Sequence, residues 1–138
     1  MHNKLIDANV ILRFLVENPQ TIPTPFKGVF TFFPKVEKGE IKTFLSDLVL
    51  FECYFVLTKY YEISQKETVE KLTKLISFKG IIMQDKTLIL SCLDILTSKK
   101  IDLVDAYLIA GCKKNNCDEV YSFDNDLKKC GLKLLTVD

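Results

Sequence analysis

Six carboxylates stand where the chain changes from one kind of pattern to another. Asp7 follows the short apolar run "KLI" and precedes "ANVILRFLV". Glu52 lies inside "SDLVLFECYFVLTKYY". Asp102 and Asp105 head the apolar stretch "IDLVDAYLIAGCKK", one helical turn apart. Asp124 and Asp126 follow "EVYS". Acids gathered in one place repel one another, and some must take up protons unless a cation is present. A hard divalent cation such as Mg²⁺ or Mn²⁺ takes oxygen ligands and keeps several waters. Such a centre activates water for attack on a phosphodiester and neutralises charge at phosphorus. Other chemistries lack their parts. The only histidine is His2, near the start of the chain, which argues against a Ser-His-Asp or Cys-His system. There is neither a P-loop nor a GxGxxG.

Each acid also has a plainer reading. Asp102 reads equally as a helix cap, Asp124 or Asp126 as the start of a short helix, and Asp7 as a turn residue. Glu52 is harder to dismiss: with Leu48, Phe55 and Val56 on one face, it reads as an inward-facing glutamate among apolar neighbours, and such a group rarely goes unpaired.

The elements that must position these acids alternate between strand and helix. A strand is predicted at Lys4–Asp7, then a helix with Val10, Ile11, Phe14 and Leu15 on one face. "PQTIPTPFKG" holds three of the four prolines and reads as a loop. "VFTFFPKVEKGE" reads as helical in part, with Pro34 an obstacle and Phe30, Phe32 and Phe33 in need of cover. A short strand then leads to Ser46 or Asp47 as the cap of a long helix. "SQKE" at Ser64–Glu67 has the capping-box pattern, ahead of Val69, Leu72, Leu75 and Ile76. "GIIMQ" reads as a buried strand, and Asp85 or Thr87 starts the next helix. "EVYS" and "LKLLT" are the last two strands, around a short helix closed by Gly131. This order predicts an α/β fold with a central, mainly parallel sheet flanked by helices, as one domain over residues 1–138. Sites in such folds lie beyond the carboxyl ends of the strands, where Asp7, Asp124 and Asp126 fall.

Composition is compatible. Of 138 residues, 48% are hydrophobic and 27% charged, enough for a core, and the net charge of +1 confines any nucleic-acid binding to a local patch. Lys99, Lys100, Lys113, Lys114, Lys128, Lys129 and Lys133 crowd the C-terminal third and are candidates for phosphate contacts, although a solvated surface has the same look. Tyr54, Tyr60, Tyr61 and Tyr107 can stack on bases or pack between helices. Cysteines 53, 92, 112, 117 and 130 include no CxxC pair. Most read as small hydrophobes, and Cys112 with Cys117 is the one spacing open to a disulfide or a metal. No apolar run has the length of a membrane span, the early one carries Asp and Arg, and a reducing cytoplasm is the expected setting.

The ordered set of motifs resembles the PIN-domain nucleases, most closely the VapC-like toxins of toxin–antitoxin pairs. "LIDANVILRFL" looks like the first motif, "SDLVLFECYFVLTKYYEIS" like the second, and "IDLVDAYLIAGCKKNNCDEVYSFDNDLKK" like the third and fourth run together. The resemblance implies a metal-dependent endoribonuclease. It implies Asp7, Glu52 and Asp105 as ligands of Mg²⁺ or Mn²⁺, with Asp124 as the fourth acid. Asn9 matches a residue that orients the first aspartate, Ser122 a hydroxyl beside the fourth acid, and Asp102 and Asp126 acidic positions of lesser weight. It also implies an RNA substrate, a small antitoxin partner and a homodimer. A housekeeping PIN nuclease and a non-catalytic PIN-like binding module are the alternatives. The Pro- and Phe-rich segment 19–34 departs from the smoother helical hairpin of the resemblance.

Overall fold

The computed structural model describes residues 3–138, so His2 lies outside the described residues. Two compact units divide the chain, Met1–Lys86 and Thr87–Asp138. Both are built from parallel strands and helices, as the alternation in the sequence requires.

In the first unit, β1 (Lys4–Leu5), β2 (Thr43–Phe44) and β3 (Ile81–Ile82) pair in parallel in that order. Lys4 lies opposite Thr43, and Thr43 opposite Ile81. Two-residue strands give short ladders, which are extended by Ile6 N–H to Phe44 O at 3.2 Å and Leu45 N–H to Ile82 O at 2.8 Å. Buried Thr43 donates its hydroxyl to the Lys4 carbonyl at 2.8 Å, which satisfies a polar group that burial would otherwise penalise. Gly80 is required where it stands: a Cβ there would lie 2.0 Å from the Ile41 carbonyl oxygen.

Helix α1 (Ala8–Val16) starts at Asp7, whose carboxylate accepts the Ala8 N–H at 2.7 Å. The strand therefore ends two residues before the predicted Asp7, because Asp7 is the helix cap. After a 3₁₀ turn at Thr24–Phe26, α2 (Val29–Lys38) runs straight through Pro34. An interior proline costs about 3 kcal/mol. Phe33 and Val36 are completely buried in this helix, and each such side chain is worth about 1.5–3 kcal/mol. That burial, together with Gly39 at φ +83° closing the last turn, offsets the proline. Phe14 covers the phenylalanines: it stacks on Phe33 at 4.3 Å between centroids and tilts against Phe30 at 6.0 Å.

Ser46, of the two expected caps, is the one that holds α3 (Asp47–Phe55), accepting the Val49 N–H at 3.2 Å. The helix continues into a π turn at Val56–Tyr60. Helix α4 (Gln65–Ile76) is capped by Ser64, which accepts the Glu67 N–H as the capping pattern predicted.

The second unit takes nearly all of α5 (Lys86–Ser98), then α6 (Leu103–Lys114), β4 (Glu119–Tyr121), α7 (Asn125–Lys129) and β5 (Lys133–Leu135). Strands β4 and β5 pair in parallel, Val120 opposite Leu134. Ile89, Cys92, Leu93, Leu96, Ala106 and Ile109 are buried.

Candidate metal centre

Each unit carries its own set of acids: Asp7 and Glu52 in the first, and four aspartates at two helix starts in the second. In the first, the Ala8 hydrogen bond fixes the Asp7 side chain at the strand-to-helix turn, and both Asp7 and Asn9 are exposed. Asn9 lies on the first turn of the same helix.

Glu52 corrects the reading of its helix. It is exposed, and so are Leu48 (79%) and Phe55 (38%), its companions on the expected inward face. The buried side chains are Leu50, Cys53, Tyr54 and Leu57, at the i, i+3, i+4, i+7 spacing of a core stripe. Helix α3 is apolar almost all round, so apolar neighbours did not mark the inside. Glu52 therefore faces solvent. Cys53, the next residue, reports the electrostatics. Its thiol is pushed up to about 12, first by burial, then by the negative charges of Glu52 and Asp7. The two acids thus act on one buried atom from different elements of the unit.

A groove of about 810 Å³ opens beside Asp7 and Asn9, lined also by Lys4, Arg13, Phe26 and Lys42. Arg13 stacks over the Phe26 ring at 3.8 Å and pairs with Glu17 at 2.9 Å. The sequence reading missed this groove. Its walls come from residues 4–13, 25–32 and 41–43, and no local pattern links them.

In the second unit the crowding is tighter. Asp102 caps α6 by accepting the Asp105 N–H at 2.9 Å, as its position before the apolar run implied. Asp124 caps α7 by accepting the Asp126 N–H at 2.9 Å, and Ser122 Oγ accepts the Asp124 N–H at 2.9 Å. Ser122 therefore holds the backbone of Asp124. The Asp105 carboxyl is pushed above the usual carboxylate range. Desolvation is the first cause, followed by the charges of Asp102, Asp124 and Asp126 and a side-chain hydrogen bond with Asp124. The structure thus brings Asp102, Asp105, Asp124 and Asp126 into one electrostatic cluster, where each cap charge raises the cost of ionising Asp105.

The donor chemistry fits a hard cation: every candidate ligand is a carboxylate, and the carboxyl of Asp105 is raised by desolvation and by the negative charges around it. Among the described residues, no group of three or more His, Cys, Asp or Glu is close enough to hold an ion unaided. Mg²⁺ is commonly held by one or two carboxylates, with waters and substrate phosphate completing the shell.

The family model of the PIN domain matches residues 4–132. The chain belongs to the PIN domain family. No curated protein matches it. PIN domains are divalent-metal-dependent nucleases, so the carboxylates at the helix starts belong to a nuclease fold. The α/β architecture with parallel strands agrees with that membership. No helix among the described residues is long and apolar enough to cross a membrane.

The seven lysines of the C-terminal third are all exposed. The tyrosines divide. Tyr54 is buried, its hydroxyl accepting from Gln65 Nε2 at 3.1 Å, which makes it a packing residue. Tyr60 is 77% exposed.

Proposed function

We propose that this PIN domain is an endoribonuclease of the VapC-like toxin type, working as one functional domain over residues 1–138. In this reading Asp7, Glu52, Asp105 and Asp124 are the catalytic acids that hold Mg²⁺ or Mn²⁺. The observation that carries the metal role is the raised Asp105 carboxyl, on which desolvation and the charges of Asp102, Asp124 and Asp126 converge. A divalent cation bound there would offset that repulsion, and would supply water activation and charge neutralisation at the scissile phosphate.

The chain's own residues then have defined tasks. Ala8 N–H holds Asp7 in place, and Asp102 organises the first turn of α6 so that Asp105 is presented from it. Ser122 holds the backbone of Asp124, and Asp126 adds negative charge. Exposed lysines such as Lys113, Lys114, Lys128 and Lys129 bind phosphates on either side of the cut. RNA as substrate, a small antitoxin as partner and a homodimer rest on the motif resemblance.

The test is cleavage of a broad RNA pool by purified, antitoxin-free protein with Mg²⁺ or Mn²⁺, beside an EDTA control and Asp7→Asn. Cleavage lost in both controls is the expected outcome. A folded sample that cuts DNA but not RNA, or that cuts equally in EDTA, overturns the reading. Growth arrest on expression, relieved by the product of a neighbouring small gene, separates a toxin from a housekeeping nuclease.

A further inference from the structure

Three helices in this chain close with the same hydrogen-bond pattern. In each, a residue in the left-handed region follows the helix, and the next residue's N–H reaches back to a carbonyl five positions earlier. The left-handed residues are Gly39 after α2, Asn116 after α6 and Gly131 after α7, with φ of +83°, +52° and +94°. The back-reaching bonds are Glu40 to Lys35 at 2.9 Å, Cys117 to Cys112 at 3.0 Å and Leu132 to Leu127 at 3.2 Å. This closure brings the two side chains together, which is why an apolar contact so often accompanies it. The pairs here suit that proximity: Lys35 with Glu40, and Leu127 with Leu132, both buried. The α6 pair is two thiols.

We propose that Cys112 and Cys117 form a reversible disulfide that staples the C-terminal end of α6. Three observations converge on it. The 3.0 Å bond ties the two backbones at the residues concerned, and a disulfide needs Cα atoms within about 4.4–6.8 Å. Both cysteines line one cavity of about 540 Å³, which Cys130 also lines. The Cys112 thiol also feels its neighbour: it is pushed up first by burial, then by Cys117 and Asp118. All three cysteines are free thiols in this structure.

Cys117 is exposed and is the sulfur that meets an oxidant first. Its thiolate attacks a low-molecular-weight disulfide such as oxidised glutathione, forming a mixed disulfide and expelling one glutathione thiolate. Cys112 then loses its proton to solvent, and its thiolate attacks the Cys117 sulfur and expels the second glutathione. Two protein thiols and one oxidised glutathione give one protein disulfide and two reduced glutathiones. Because Cys112 is pushed up, this second step accelerates as pH rises. The staple sits on the helix whose first turn carries Asp105, and it depends on none of the metal chemistry.

The sequence supplies a clean assay. Lys113 and Lys114 lie between the two cysteines, so trypsin separates them, and residues 101–113 and 115–128 stay joined only through sulfur. Reduced full-length protein is incubated with oxidised glutathione, alkylated, digested and analysed by mass spectrometry without reductant. A linked 101–113/115–128 species is expected, absent after reduction, present in Cys130→Ser and lost in Cys117→Ser. It forms at least about tenfold faster than any link to Cys130. Glutathione adducts without the link, or a dominant link to Cys130, overturn the proposal. So does failure of the folded wild-type protein to oxidise at either cysteine.

Discussion

The two units hold their acids in opposite ways. In the first, Asp7 and Glu52 are exposed on separate helices, and the residue that registers their charge is the buried thiol of Cys53. In the second, four aspartates at two helix starts act on one another, and Asp105 registers the strain. The first unit leaves its acids at the surface, and their charge falls on a buried thiol. The second concentrates the cost on Asp105, itself a proposed metal ligand. Cation binding should therefore be felt most in the second unit.

The largest expected effect comes from removing an acid from either unit. Asp7→Asn, Glu52→Gln and Asp105→Asn should each lower metal-dependent cleavage by about 100-fold or more. A Glu52→Gln variant with full activity would break the comparison, by leaving the first unit with a single working acid. Next in size is Cys53→Asp, which adds a buried carboxylate where Glu52 and Asp7 already act on the thiol. Its destabilisation should reach about 3 kcal/mol or more by denaturant titration, against about 1 kcal/mol for Cys53→Ala. Equal losses would mean that the site is solvated.

A smaller effect separates the units by pH. The native-state value of Asp105 is raised above that of the unfolded chain, so its contribution to stability is fully present below the unfolded value of about 3.9 and lost as pH rises through the native one. Asp105→Asn in EDTA should therefore melt higher than wild type at neutral pH, by about 2 °C. The gain should shrink as the solution is acidified, and also when Mn²⁺ is added to the wild type. A variant that melts lower at neutral pH would mean that the carboxylate is stabilising. The smallest effect is chemical labelling. Iodoacetamide at neutral pH should modify exposed Cys117 well before Cys53, which is fully buried and pushed up to about 12. Early labelling of Cys53 would show that the first unit opens readily.

These contrasts were only partly legible in the sequence. Helix starts were readable because a cap is a local event: Ser46, Ser64 and Asp102 each bond a backbone N–H within three residues. For the same reason Asp105 was placed correctly in the first turn of α6. Glu52 was not, because Leu48, Val49, Leu50, Phe51, Cys53, Tyr54 and Phe55 make α3 apolar on every side, and only packing against the rest of the unit selects the inner stripe. Pro34 misled in the other direction. A local penalty is visible in sequence, whereas the burial of Phe33 and Val36 and the Phe14 stack that offset it come from positions up to twenty-two residues apart. The Arg13–Phe26 stack and the groove beside Asp7 are products of tertiary folding alone.

The π turn at Val56–Tyr60 has a consequence for chain length. Its hydrogen bonds span one residue more than an α-helix does, as in Tyr61 N–H to Val56 O at 3.1 Å. The turn thus carries one residue of slack between the Leu50–Leu57 stripe and the Ser64 cap of α4. Removing Lys59, which is exposed, should be absorbed by tightening that turn to α geometry, whereas removing one residue from within Leu50–Cys53 would rotate Glu52 by about 100° relative to the core stripe. The chain can be shortened at the one place and not at the other.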